Sequence, residues 1–212
     1  MTIQERYEGV LGWFERNQPN PASELRFESP FALLVAVMLS AQCTDKRVNM
    51  VTPALMRAFP DAATMAKATP GQVLEYIKSV SYPNSKAAHL CGMAGMLAEK
   101  FGGEVPRTME ELTSLPGVGR KTANVVMGIA FGAPTIPVDT HVFRVSRRIG
   151  LSKGKTPAEV ERDLTRHIDA ARRFKAHHWI LLHGRYVCKA LRPDCLNCAV
   201  KPWCKTYKPG KS

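Results

Sequence analysis

Residues 115–123 read Leu115-Pro116-Gly117-Val118-Gly119-Arg120-Lys121-Thr122-Ala123. The stretch joins a short helix to a longer one through a Gly-x-Gly turn, and two glycines there let the backbone approach an anion closely. Exposed N–H groups of the turn, with the positive end of the following helix, could hold one phosphate without reading any base. A purely structural turn between helices has nearly the same composition, so both readings stand at this point.

On either side of this hairpin the chain is helical in pattern and strand signals are nearly absent. Ser29-Pro30, Thr69-Pro70 and Thr156-Pro157 each place a capping residue before a proline at the first helical position. Thr108 with Glu111 and Thr156 with Glu159 have the spacing of capping boxes. The pattern predicts an all-α fold of many short helices over residues 2–17, 30–42, 45–58, 70–79, 84–101, 108–114, 120–131, 139–149, 157–169 and 173–185. The helix over 30–42 is apolar on every side, so it should form the buried centre of a bundle. Gly132-Ala133-Pro134-Thr135-Ile136-Pro137 interrupts the helical pattern and suggests a domain border near 133. The polar, basic tail 205–212 is expected to be loose.

The composition is that of a globular protein: 212 residues, 45% apolar and 8% aromatic, which excludes disorder, collagen and coiled coil. The net charge of +12 favours a polyanionic partner. Residues 1–110 carry 11 basic and 11 acidic side chains, against 19 and 7 in residues 111–212, so the whole excess lies in the C-terminal half. The basic residues are spread over several segments and not gathered on one amphipathic helix, which points to nucleic acid and away from a membrane surface. Glu5, Glu8 and Glu15 at the N-terminus suit an amphipathic helix and not an export signal. The longest apolar run, 31–39, is far short of the roughly 20 residues that span a bilayer. A soluble, intracellular chain is expected.

In a reducing compartment clustered cysteines are metal ligands more often than disulfides. Cys188-x6-Cys195-x2-Cys198-x5-Cys204 brings four thiols within 17 residues. Zinc ribbons use two separated C-x2-C pairs, and only one close pair exists here, so an iron–sulfur cluster fits better than zinc without excluding it. Lys189, Arg192 and Lys201 lie inside the array and Lys205 just after it, and a metal-closed loop would present them as a fixed basic knuckle to a phosphate backbone; a merely solvated loop is the alternative. Cys43 and Cys91, far from the array, read as core packing.

Lys121 falls in the first turn of its helix, where the helix dipole disfavours added positive charge. That placement should push its pKa down, toward an amine able to attack an electrophilic carbon and form a Schiff base; a phosphate-contacting surface lysine is the plainer reading. Asp139 begins the next helix, where it could be an N-cap and nothing more. From Lys121 the intervening helix runs out about 18 Å, and the seven residues 131–137 can return about 23 Å, so the two side chains can meet. A carboxylate there would stabilise a cationic sugar and move protons.

Several stretches together resemble the endonuclease III family of DNA glycosylases with apurinic-site lyase activity: Leu39-Ser40-Ala41-Gln42-x-Thr44-Asp45, Asn84-Ser85-Lys86-Ala87, Gly103-Glu104-Val105-Pro106, the hairpin extended through Val126, Val138-Asp139-Thr140-His141-Val142-Phe143-Arg144-Val145, and the cysteine array. The resemblance covers nearly the whole chain. It implies a helix-hairpin-helix glycosylase fold: a six-helix barrel domain over 23–133 and an iron–sulfur cluster domain from 1–22 and 134–212, with DNA crossing the cleft between them. It makes the metal a [4Fe-4S] cluster held by Cys188, Cys195, Cys198 and Cys204. Lys121 becomes the nucleophile on the sugar C1′ and Asp139 its catalytic partner, once a damaged pyrimidine has been flipped from the stack. β-Elimination through the Schiff base would then nick the strand on the 3′ side.

Gln42 matches the family residue that fills the space left by the flipped base. The family often carries a leucine wedge before a tyrosine ahead of Asn-Ser-Lys; Ser81-Tyr82-Pro83 stands here, so Tyr82 is expected to be the stacking wedge. The hairpin residues Gly117, Gly119 and Arg120 complete the expected DNA contacts with Lys189 and Arg192. His141 is expected to be a hydrogen-bonded support and not a proton carrier. The implied partner is double-stranded DNA with damaged bases or abasic sites, bound by a monomer in the bacterial cytoplasm and associated with the nucleoid. Two other classes stand beside this reading: a monofunctional adenine- or thymine-mismatch glycosylase, and a non-enzymatic DNA-binding module held together by its metal. The adenine-specific relatives usually lack a lysine at the position of Lys121.

Overall fold

The computed structural model describes residues 1–208, and among these it contains eleven α-helices, one 3₁₀ turn and no strand. The chain divides into two compact units, residues 23–133 and residues 1–22 with 134–212.

The first unit is built around α2 (Pro30–Leu39), whose residues Leu33, Leu34, Val35, Ala36 and Leu39 are completely buried. Full burial of each large side chain contributes about 1.5–3 kcal/mol, so this one helix anchors the unit. Around it stand α3 (Asp45–Ala58), α4 (Ala62–Ala66), α5 (Pro70–Ile77), α6 (Pro83–Lys100), α7 (Met109–Ser114) and α8 (Arg120–Phe131). Helix α8 packs on α2 with Ala123, Val125 and Val126, while α4 and α5 both lie against α6. Cys43 and Cys91 are half-buried against this core.

The second unit is assembled from both ends of the chain. It comprises α1 (Ile3–Asn17), α9 (Thr140–Ile149), α10 (Pro157–His167), α11 (Ala170–Tyr186) and the 3₁₀ turn Lys201–Trp203. Trp179 of α11 is fully buried, stacks on Phe14 of α1 and donates its indole N–H to Gln18 O at 2.7 Å. Tyr7 of α1 donates its hydroxyl to Leu151 O at 2.7 Å. Helices α9 and α11 approach so closely at Gly184 that a Cβ there would lie 2.9 Å from His141 Cβ.

The three proline starts form as the sequence predicts: Ser29, Thr69 and Thr156 cap α2, α5 and α10. Several local expectations are corrected. Helix α2 stops at Leu39 and not at 42, which leaves Gln42 outside it. Helix α11 starts at Ala170, three residues before the expected 173. The five-residue α4, capped by Asp61, is too short to show a periodicity and was not expected. Thr108 and Thr156 do cap their helices, but the return arms differ from a capping box: Glu111 accepts from the Thr108 hydroxyl, and Glu159 from the Lys155 N–H. The reciprocal boxes form instead at Thr2–Glu5 and Thr69–Gln72. The tail, expected to be loose, is tied at its start, where Lys205 and Thr206 donate backbone N–H groups to Ile149 O and Arg148 O; its last four residues, 209–212, lie outside the described residues. Among the described residues no helix is long and apolar enough to cross a membrane.

Candidate functional site

The hairpin between α7 and α8 is closed by the Val118 N–H donating to Leu115 O at 3.1 Å. Gly117 has φ +77°, and a Cβ there would lie 2.8 Å from His89 Cβ, so both backbone and space demand glycine. Gly119 is different. It is the N-cap of α8 in ordinary extended conformation, with nothing within 4 Å of a notional Cβ and no side-chain cap. Gly119 thus brings no side chain of its own over the first-turn amides of α8, and the N-terminus of a helix is a place that favours an anion. Arg120 and Lys121 occupy that turn, and both are exposed.

Beside the hairpin lies a pocket of ≈ 220 Å3 whose lining includes Gln42, Tyr82, Lys86, His89 and Gly117. Gln42 follows the end of α2 with φ 53°, and Tyr82 is the N-cap of α6 with φ 54° and 66% of its surface exposed. Ser81 donates its hydroxyl to Gln42 O at 2.6 Å. The buried Lys86 donates Nζ to Leu39 O at 2.8 Å and to Ala41 O at 2.7 Å. Burial pushes the Lys86 pKa down, with the nearby Cys43 opposing it. Three of the sequence-predicted residues, Gln42, Tyr82 and Gly117, are thus gathered on one pocket of the unit that carries Lys121.

Asp139 belongs to the other unit. Its Oδ1 accepts the Val142 N–H at 2.8 Å and caps α9. Asp139 is half-buried and follows the buried run Ile136, Pro137 and Val138 in the chain. His141, two residues on, has Nδ1 3.2 Å from Arg144 Nη2 and accepts from it, so it is the hydrogen-bonded support that the sequence suggests.

In the same unit the four cysteines of the array are all free thiols and line one cavity together with Ile149, His183 and Val200. Desolvation raises the pKa of both Cys195 and Cys198, and the other thiols of the array raise it further, which places the four within electrostatic reach of each other. Sequence reasoning missed the supports of this loop. Arg144 of α9 donates to Cys188 O at 3.1 and 3.2 Å, and Arg148 donates to Lys189 O at 2.7 Å and Ala190 O at 3.0 Å. His183 Nε2 lies 3.5 Å from Cys198 Sγ. Lys189 and Arg192 are exposed on this loop, Arg192 with φ 51°. Among the described residues no three His, Cys, Asp or Glu side chains converge as ligands of a single ion.

Residues 35–169 match the family described as HhH-GPD superfamily base excision DNA repair protein. The chain is 46% identical over 194 residues to the endonuclease III of Rickettsia felis, covering 92% of this chain and 91% of that one. It is 45% identical over 199 residues to the endonuclease III of Escherichia coli K12, covering 94% of each. This chain belongs to the endonuclease III family. Like the rest of the endonuclease III family it is a base excision repair DNA glycosylase, and AP lyase activity is part of that family's known function. The non-enzymatic binding module is thereby set aside. The solved structure of a trapped endonuclease III–DNA covalent intermediate matches the fold with a TM-score of 0.92 at 39% identity, covering 97% of both chains.

Proposed function

We propose that this chain removes oxidised pyrimidines from double-stranded DNA and then cleaves the resulting abasic strand through a lysine Schiff base. The observation that carries the reading is Lys121, exposed in the first turn of α8 at the mouth of the glycine hairpin. The relative trapped as a covalent DNA intermediate supports a route of this kind.

The Lys121 amine attacks C1′ of the damaged nucleotide. The C–N bond to lysine forms as the glycosidic bond breaks, and the departing base takes up a proton. Opening of the sugar gives the Schiff base, whose C2′ proton is lost as the 3′ phosphate leaves, and water then releases the lysine. Asp139 supplies the carboxylate that stabilises the cationic sugar and carries protons, while its Oδ1 caps α9. Gln42 fills the space left by the flipped base and Tyr82 stacks as the wedge. The hairpin residues Gly117, Gly119 and Arg120 hold one phosphate, and Lys189 and Arg192 add contacts to the backbone.

The donor set of the array suits a polynuclear cluster better than a zinc ribbon: four free thiols share one cavity, and only one close C-x2-C pair stands among them. Cys188, Cys195, Cys198 and Cys204 would hold a [4Fe-4S] cluster, which when bound closes the loop 188–204 and fixes Lys189 and Arg192 in space. In this reading residues 23–133 are the helical barrel domain and residues 1–22 with 134–212 the cluster domain. The protein acts as a monomer in the cytoplasm, on the nucleoid. A monofunctional mismatch glycosylase has no use for Lys121.

Product analysis tests the activity. Duplexes carrying a single oxidised pyrimidine should yield the free base and a strand nicked on the 3′ side, whereas release of adenine or thymine from mismatches, with the strand intact, would refute the reading.

A further inference from the structure

The stretch Asn84-Ser85-Lys86-Ala87 places a cation inside the first turn of α6, buried to 8% exposure. A buried ammonium is tolerated only where it finds acceptors, and Lys86 finds two backbone carbonyls. One, Leu39 O, is the last residue of α2, whose terminal carbonyls have no partner within the helix. Capping alone would need no more. The second bond runs to Ala41 O, past the end of α2, and Ser81 reaches the next carbonyl, Gln42 O. The start of α6 therefore grips the chain at 39, 41 and 42 in succession.

The gripped segment is strained. Among the described residues only three non-glycine residues have positive φ, and two of them, Gln42 at 53° and Tyr82 at 54°, line the same pocket. Such conformations persist only where the surroundings hold them. Tyr82 and Lys86 are also directly linked, because the Lys86 N–H donates to Tyr82 O at 3.1 Å as the first α-helical bond of α6. One turn of helix thus carries the wedge at its cap and, four residues later, the cation that holds the segment carrying Gln42.

We propose that Lys86 is a positioning residue for lesion recognition: with Ser81 it splints residues 39–42 so that Gln42 and Tyr82 are presented together before DNA arrives. The inference rests on the reading that Gln42 and Tyr82 enter the duplex. Pre-organisation of this kind lowers the ordering cost of binding and is specific to complexes in which the two side chains are used. Contacts to the phosphate backbone elsewhere are untouched by it.

The test is a double-mutant cycle on the full-length holoprotein, with Kd measured by fluorescence anisotropy on a duplex bearing a stable tetrahydrofuran abasic analogue and on its undamaged counterpart. Lys86→Met is expected to weaken binding to the abasic duplex about tenfold and to the undamaged one less than twofold, and to add less than twofold in the Gln42→Ala background. A full tenfold effect in that background, or equal losses on both duplexes, would overturn the proposal. A loss in Gln42→Ala with none in Lys86→Met overturns the positioning role alone, whereas no loss in Gln42→Ala overturns the reading beneath it as well. Should Lys86→Met not fold, Ser81→Ala, which cuts only the bond to Gln42 O, must show the same lesion-specific and non-additive loss; an additive one rejects the splint.

Discussion

Asp139 has two tasks in this account: its Oδ1 caps α9 by accepting the Val142 N–H, and the proposed chemistry uses its charge. An asparagine caps a helix as well as an aspartate does, whereas an alanine would cost about 1 kcal/mol of helix stability. Asp139→Asn therefore separates chemistry from folding. Turnover on an abasic duplex should fall by about 100-fold or more, the usual scale of acid–base and electrostatic assistance, while Kd changes less than threefold. Single-turnover kinetics beside anisotropy would check this, and comparable losses in both would make Asp139 a structural cap. At this scale the sequence was legible where chemistry is local. Gly117 is demanded by its own φ and by His89, and the composition of the turn announces it. Gln42 is not legible in the same way, because the bonds that hold its segment come from Ser81 and Lys86, far along the chain.

Helices reveal their beginnings better than their ends. A capping residue followed by proline acts through adjacent atoms, and α2, α5 and α10 all start where such a pair stands. Ends and very short helices depend on tertiary contacts, which is why α2 is shorter than its apolar pattern and α4 left no periodic trace. The cysteine loop belongs to the same lesson. The spacing announces a metal site, yet the loop's backbone is carried by guanidinium groups of α9, 40 and more residues away in sequence. Four thiols so placed should hold iron. Protein purified without oxygen is expected to be brown, to absorb near 400 nm and to contain about four irons per chain. One zinc per chain would contradict the assignment.

Across the whole molecule the excess of +12 and the crowding of positive charge into residues 111–212 already suggest a polyanionic partner. The break at 132–137 was legible because glycine and prolines interrupt a helical pattern, and the two compact units part at 133–134. That the N-terminal helix joins the C-terminal unit was not readable from periodicity, since it rests on the long-range pairs of Phe14 with Trp179 and Tyr7 with Leu151. The catalytic proposal asks more of the chain than its fold does, because it assigns covalent chemistry to a single amine in the first turn of α8. Borohydride reduction in the presence of a duplex with one abasic site examines that assignment most directly. The native chain should be trapped as a stable protein–DNA adduct and Lys121→Ala should give none; an undiminished adduct in that variant would show that another amine does the work.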